Sequence, residues 1–168
     1  ICHVLDPAFW ALDLGAPSMI TATSEDETWS PERCPRMVSI EYEFPARGTQ
    51  PAVKVIWQSK RDIQILIPER YGFTADVPDI GALIIGEKGA ILHGSHGGGG
   101  ARLLPRAVAD EFNQVKEILP RLNKSHEMDW LDACKNDFQP GSNLNYGGPL
   151  TEIGLLGVIA TNLIGHRL

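Results

Sequence analysis

The chain has 168 residues, 43% of them hydrophobic and 21% charged, with a formal net charge of −6. That length holds one domain with a buried core, and the scattered basic residues exclude the concentrated Lys/Arg surface that nucleic-acid binding needs. No apolar run reaches the length of a membrane span.

Residues 1–15 begin with Ile1, Val4, Leu5, Ala8 and Leu12 at helical spacing, which gives one face to bury. His3 and Asp6, three apart, are neighbours on such a helix. Asp6-Pro7 reads as an N-cap followed by proline at the first helical position, with Gly15 as the stop. If the helix instead runs through Pro7, the carbonyl of His3 loses its donor. Either way an apolar helix starts at residue 1, as though the chain begins in the middle of something. Ser18–Ser24 is rich in β-branched residues and reads as a strand. Glu25–Pro35, acidic and twice broken by proline, reads as a loop. Met37–Phe44 is the clearest strand: Val38, Ile40, Tyr42 and Phe44 alternate with Ser39, Glu41 and Glu43. Its charged face is expected to meet solvent or another protomer. Val53–Trp57 alternates too and is expected to close an antiparallel hairpin.

Residues 60–79 read as an excursion, with Ile63, Ile65 and Ile67 as a short edge strand. Gly81–Ile85 and Ala90–His93 flank Gly86-Glu87-Lys88-Gly89, a second hairpin. His93–Gly100 is a glycine-rich loop. Ala107–Leu119 is expected to form an amphipathic helix ended by Pro120, and Ser125 caps another through Trp130, Leu131, Ala133 and Cys134. Asn136–Pro149 reads as loop. Thr151 is expected to cap a final helix that is apolar nearly all round, hence buried, with close backbone contact at Gly154 and Gly157. Hairpins without alternating βα units give an α+β fold, an open, mainly antiparallel β-sheet with helices packed on one face. Residues 1–168 form a single domain with no internal repeat.

The motif chemistry is sparse. Cys2, Cys34 and Cys134, odd in number and far apart, do not make a disulfide framework or a structural zinc site. The glycines after His96 are not followed directly by a helix N-terminus, so they read as a hinge or lid and not as a phosphate cradle. His93 and His96 lack a third metal ligand at fixed spacing, and His126 beside a cap reads as a surface group. His3 is suited to moving a proton near neutral pH. Taken alone, however, it reads as a satisfied core residue.

A resemblance adds to this. The stretches C-H-V-L-D-P-A-F-W-A-L-D-L-G-A-P, G-E-K-G-A-I-L, H-E-M-D-W-L-D-A-C-K and S-N-L-N-Y-G-G-P-L-T-E-I-G-L-L-G-V-I-A resemble the C-terminal region of the Gfo/Idh/MocA oxidoreductases. They match, in order, the branch common in bacteria that degrade complex glycans. The resemblance implies a parent with an N-terminal Rossmann domain binding NAD(P). This chain would then be the C-terminal domain that shapes the sugar site and mediates homo-oligomerisation through its sheet. His3 matches the catalytic histidine. Its partners, an aspartate four residues earlier and the lysine of an E-K-P motif, would lie outside the chain, and the family sequence continues past Gly165–Leu168. The chain is thus expected to be truncated at both ends, to hold no cofactor site, and to be inactive alone. For a fragment, the lack of a secretory leader leaves cytoplasm and periplasm equally open. A non-catalytic binding or assembly module, or a domain of an NAD-dependent glycoside hydrolase, are the alternatives. The roles of the His93–Gly100 loop and Tyr146, as possible borders of the sugar site, stay open.

Overall fold

The structure, a computed structural model, describes residues 1–26, 30, 32, 33, 35–59, 71, 78–112, 116 and 118–168. In chain order these form α1 (Cys2–Ala11), β1 (Met19–Ser24), β2 (Val38–Phe44), β3 (Val53–Gln58), β4 (Gly81–Ile85), β5 (Ala90–Gly94), β6 (Arg102–Leu104), α2 (Arg106–Phe112), α3 (His126–Asn136) and α4 (Leu144–Asn162). The fold is α+β and its strand pairings are antiparallel. The strands divide between two three-stranded sheets, ordered β1-β2-β3 and β4-β5-β6.

Strand periodicity fixes where the core lies. On β2, Ile40, Tyr42 and Phe44 are buried, while Ser39, Glu41 and Glu43 point to the other side. The pairs Ile20↔Tyr42, Ala22↔Ile40, Tyr42↔Val55 and Ile40↔Trp57 extend that apolar layer across the sheet. The outer side is polar, with Lys54 Nζ 2.6 Å from Glu41 Oε1. Beyond α4, Leu168 and Ile20 exchange backbone hydrogen bonds of 3.0 and 3.1 Å, so the last residues pair along β1.

α4 covers the apolar layer with Leu150, Ile153, Gly157 and Ala160, recurring every three or four residues. A Cβ at Gly157 would overlap the Tyr42 hydroxyl and lie 3.3 Å from Ile40 Cδ1, so only glycine lets helix and sheet approach this closely. The buried Tyr42 hydroxyl has no hydrogen-bond partner among the described residues. Burial pushes its ionisation up to about 12. The second sheet has its own cluster of Tyr71, Ala90, Leu92 and Leu104, and Ile84 packs against the first core. α1 touches both α4, which covers the first sheet, and β4 of the second.

Several local expectations are corrected. α1 runs through Pro7 with Ile1, not Asp6, at its N-cap, and it ends at Ala11, before Gly15. Burial of Val4, Leu5 and Ala8 along one stripe outweighs the single backbone bond that Pro7 removes. α4 starts inside the expected loop: the Asn143 side chain accepts from Tyr146 N at 3.2 Å, so the cap is Asn143 and not Thr151. Gly147, Gly148 and Pro149 are carried inside that helix because Leu150 and Ile153 behind them are buried. Nor is α4 buried all round, since Leu155, Val158 and Ile159 are exposed. β6 was hidden by its shortness within the stretch after the glycine loop. α2 ends at Phe112 and Leu119 is not helical, while Val115, Cys34 and the Ile63–Ile67 alternation lie outside the described residues.

Tyr42→Phe, which removes an unpartnered buried hydroxyl, is expected to leave the melting temperature unchanged or raise it. Gly157→Ala should cost about 1–3 kcal/mol by overpacking, and the double variant should cost less than the sum, as measured by urea unfolding. The folded chain keeps the Tyr42 proton to higher pH than the unfolded chain, whose tyrosines ionise near ~10. The stability tied to this proton is therefore whole below that pH and is lost as pH rises from there through the folded-state value of about 12. Tyr42→Phe should flatten the decline between about pH 10 and 12.

Candidate functional site

Burying one side of α1 leaves part of the other open to solvent. Val4, Leu5 and Ala8 face inward, and His3 is exposed. Ile1 Cγ2 sits so close to Gly154 that a Cβ there would overlap it, which presses the start of α1 onto α4. One turn along from His3, Asp6 Oδ1 accepts the Tyr146 hydroxyl at 2.5 Å. Phe9 meets the Tyr146 ring edge-on, 5.5 Å between centroids. Burial first, and then the hydrogen bond and charge of Asp6, hold Tyr146 ionisation well above the ordinary tyrosine range. The phenol thus keeps its proton and serves as a neutral donor to a carboxylate. At the far end, Arg47 Nε and Nη2 donate to the carbonyls of Asp13 and Leu12 at 2.6 and 3.0 Å, placing a cation where the helix dipole favours one. Pro7 leaves the His3 carbonyl without its usual donor four residues on.

The glycine loop comes to this same place. It is tied down by Gly94 N donating to Gly99 O at 2.9 Å and Ser95 N donating to Ile80 O at 3.0 Å. His96, Gly97, Gly98 and Gly100 all adopt left-handed backbone, with φ of 48°, 70°, 71° and 66°. Gly98 lies against Pro7 of α1, where a Cβ would come 3.4 Å from Cγ. The His96 ring stacks on that of His3, with centroids 4.8 Å apart and planes 25° from parallel.

The other histidines are placed elsewhere. His93 is buried; its Nδ1 lies 2.7 Å from Gly94 O, which makes Nδ1 the protonated nitrogen and leaves Nε2 without a partner among the described residues. No group of three metal-ligating side chains occurs among the described residues. His126 is an exposed group 3.0 Å from Glu127 Oε1, in a shallow depression lined by Trp130 and Leu131 of α3 and by Ser142. Cys2 is half-buried and Cys134 exposed, and neither forms a disulfide.

The glycine run leads into β6, so no set of converging N–H groups at a helix start follows it. Among the described residues no helix is long and apolar enough to cross a membrane. No family model and no curated protein matches the chain.

What the site offers is an exposed imidazole on a helix clamped at both ends, a second imidazole over it, and a phenol–carboxylate pair one turn away. Sequence reading singled out His3 but treated His96 as part of a hinge, and it did not pair Tyr146 with Asp6. The spacing of His3 and Asp6 on one helix face was the available signal. Tyr146→Phe is expected to lower stability by about 1–3 kcal/mol through loss of a charge-assisted hydrogen bond. In a double-mutant cycle with Asp6→Asn, read by chemical denaturation, the two losses should be strongly non-additive.

Proposed function

We propose that this chain is the substrate-side domain of an NAD(P)-dependent oxidoreductase of the Gfo/Idh/MocA type acting on a sugar or sugar derivative, with His3 as its proton-transfer group. The observation that carries the reading is the exposed His3 imidazole on α1, facing a glycine loop that packs on the same helix. An imidazole titrates near neutral pH and is a fitting acid or base for a sugar hydroxyl or carbonyl. The motif resemblance of the α1, α3 and α4 segments supports the same assignment.

In this reading the cofactor is held by a preceding nucleotide-binding domain, as the resemblance implies. Bound there, it supplies the redox change. The residues of this chain bind and orient the sugar and move one proton at the His3 ring nitrogen. Asp6 and Tyr146 keep α1 in register with α4, so that the ring stays where the sugar meets it. Self-association through the outer side of the β1-β2-β3 sheet belongs to the same reading and is supported by exposed Ile56 beside the Glu41–Lys54 pair.

Titration of the chain with NADH or NADPH, followed by nucleotide fluorescence, is expected to show no binding; micromolar binding would overturn the assignment of the cofactor to another domain. In the enzyme that includes its nucleotide-binding domain, His3→Ala should lower turnover by about 10²–10⁴-fold with little change in cofactor affinity. Unchanged turnover would remove His3 from the reaction and favour a non-catalytic binding module. Sugar-dependent cleavage of a glycoside with no net change in NADH would favour the hydrolytic variant.

A further inference from the structure

We infer that His96 is the positioning residue for His3, holding the plane of its ring through the stack that the glycine loop builds over α1. The inference rests on the proposed role of His3. Three observations converge on it. His96 is one of three non-glycine residues in left-handed backbone among those described, the others being Asp13 and Asp137, which lie at helix ends. Such a conformation is uncommon for a residue with a Cβ and persists where the surroundings over-determine it. Here those surroundings are the Gly94–Gly99 and Ser95–Ile80 backbone bonds and the seat of Gly98 on Pro7. The side chain so directed meets His3 face to face.

The chemistry of stacking suits positioning. A stacked neighbour occupies one face of the imidazole, whereas the lone pair and N–H that move protons lie in the ring plane. The stack therefore removes rotational freedom about the His3 side-chain bonds while leaving both nitrogens open to a substrate hydroxyl. An exposed histidine near a helix start has no other device of this kind on α1. Asp6, Tyr146 and Arg47 fix the helix, not the ring. Orientation of an acid–base group is worth orders of magnitude in rate, since small misplacements cost turnover without weakening binding.

The test compares His96→Asn, which tolerates left-handed backbone but removes the ring, with His96→Phe, which keeps an aromatic face. In this chain, the ring-proton signals of His3 in NMR should lose their ring-current displacement in His96→Asn and keep it in His96→Phe. In the enzyme with its nucleotide-binding domain, His96→Asn should lower kcat by about 10–100-fold with KM changed little, and His96→Phe should restore most of the loss. A His96→Asn enzyme with unaltered kcat, or a His96→Phe enzyme as slow as His96→Asn, would overturn positioning by the stack. His3→Ala separates the two ideas. If it abolishes turnover while His96→Asn does not, only the role of His96 falls; if it leaves turnover intact, the proposed function falls, whatever the NMR signals show.

Discussion

A ten-residue helix interrupted by proline does not persist in water by itself. α1 exists because α4 gives it a surface to lie on, and the quality of that contact governs everything built above it. Ile1 seats on Gly154, Tyr146 bonds Asp6, and Leu5 and Ala8 join the core beneath the first sheet. Loosening any of these moves the helix that carries His3. The same helix also touches β4 of the second sheet, so its packing helps to join the two sheets.

The polar groups around α1 divide into those that hold and those that are free to act. Arg47 spends its guanidinium on helix-end carbonyls, and Asp6 accepts a phenol that keeps its proton. Both are committed to geometry. His3 is not committed in that way: it is exposed, and its recorded neighbour is the face of another imidazole. The acid–base role proposed for His3 rests on both conditions, a fixed helix and an open ring edge.

The strands were legible in the sequence because their signal is local. Alternation through Ile40, Tyr42 and Phe44, and turn glycines between Ile85 and Ala90, require knowledge of nothing outside the segment. The antiparallel pairing and α+β class follow from them. Helix boundaries were less legible where proline and glycine compete with burial. Pro7 and Pro149 both look like breaks, yet each sits inside a helix whose apolar stripe continues past it. The division into two sheets was not written locally, since it depends on which apolar faces find partners. The site was half legible. His3 stands out as a polar residue on an apolar segment, but its meeting with His96 comes from the path of a loop, and that of Tyr146 with Asp6 spans 140 residues.

Gly154 and Gly157 are separated by less than one helical turn, about 4.5 Å along the axis of α4. One receives the first residue of α1 and the other receives Tyr42 of the sheet. The floor of the candidate site and the centre of the core therefore press on the same short piece of backbone. A rigid spacer of that length transmits displacement instead of absorbing it. Repacking around Tyr42 thus acts on the same piece of backbone that seats Ile1, at the start of the helix that carries His3. Substitutions at Tyr42 or Gly157 and substitutions at Ile1 or Gly154 therefore bear on one short stretch of α4.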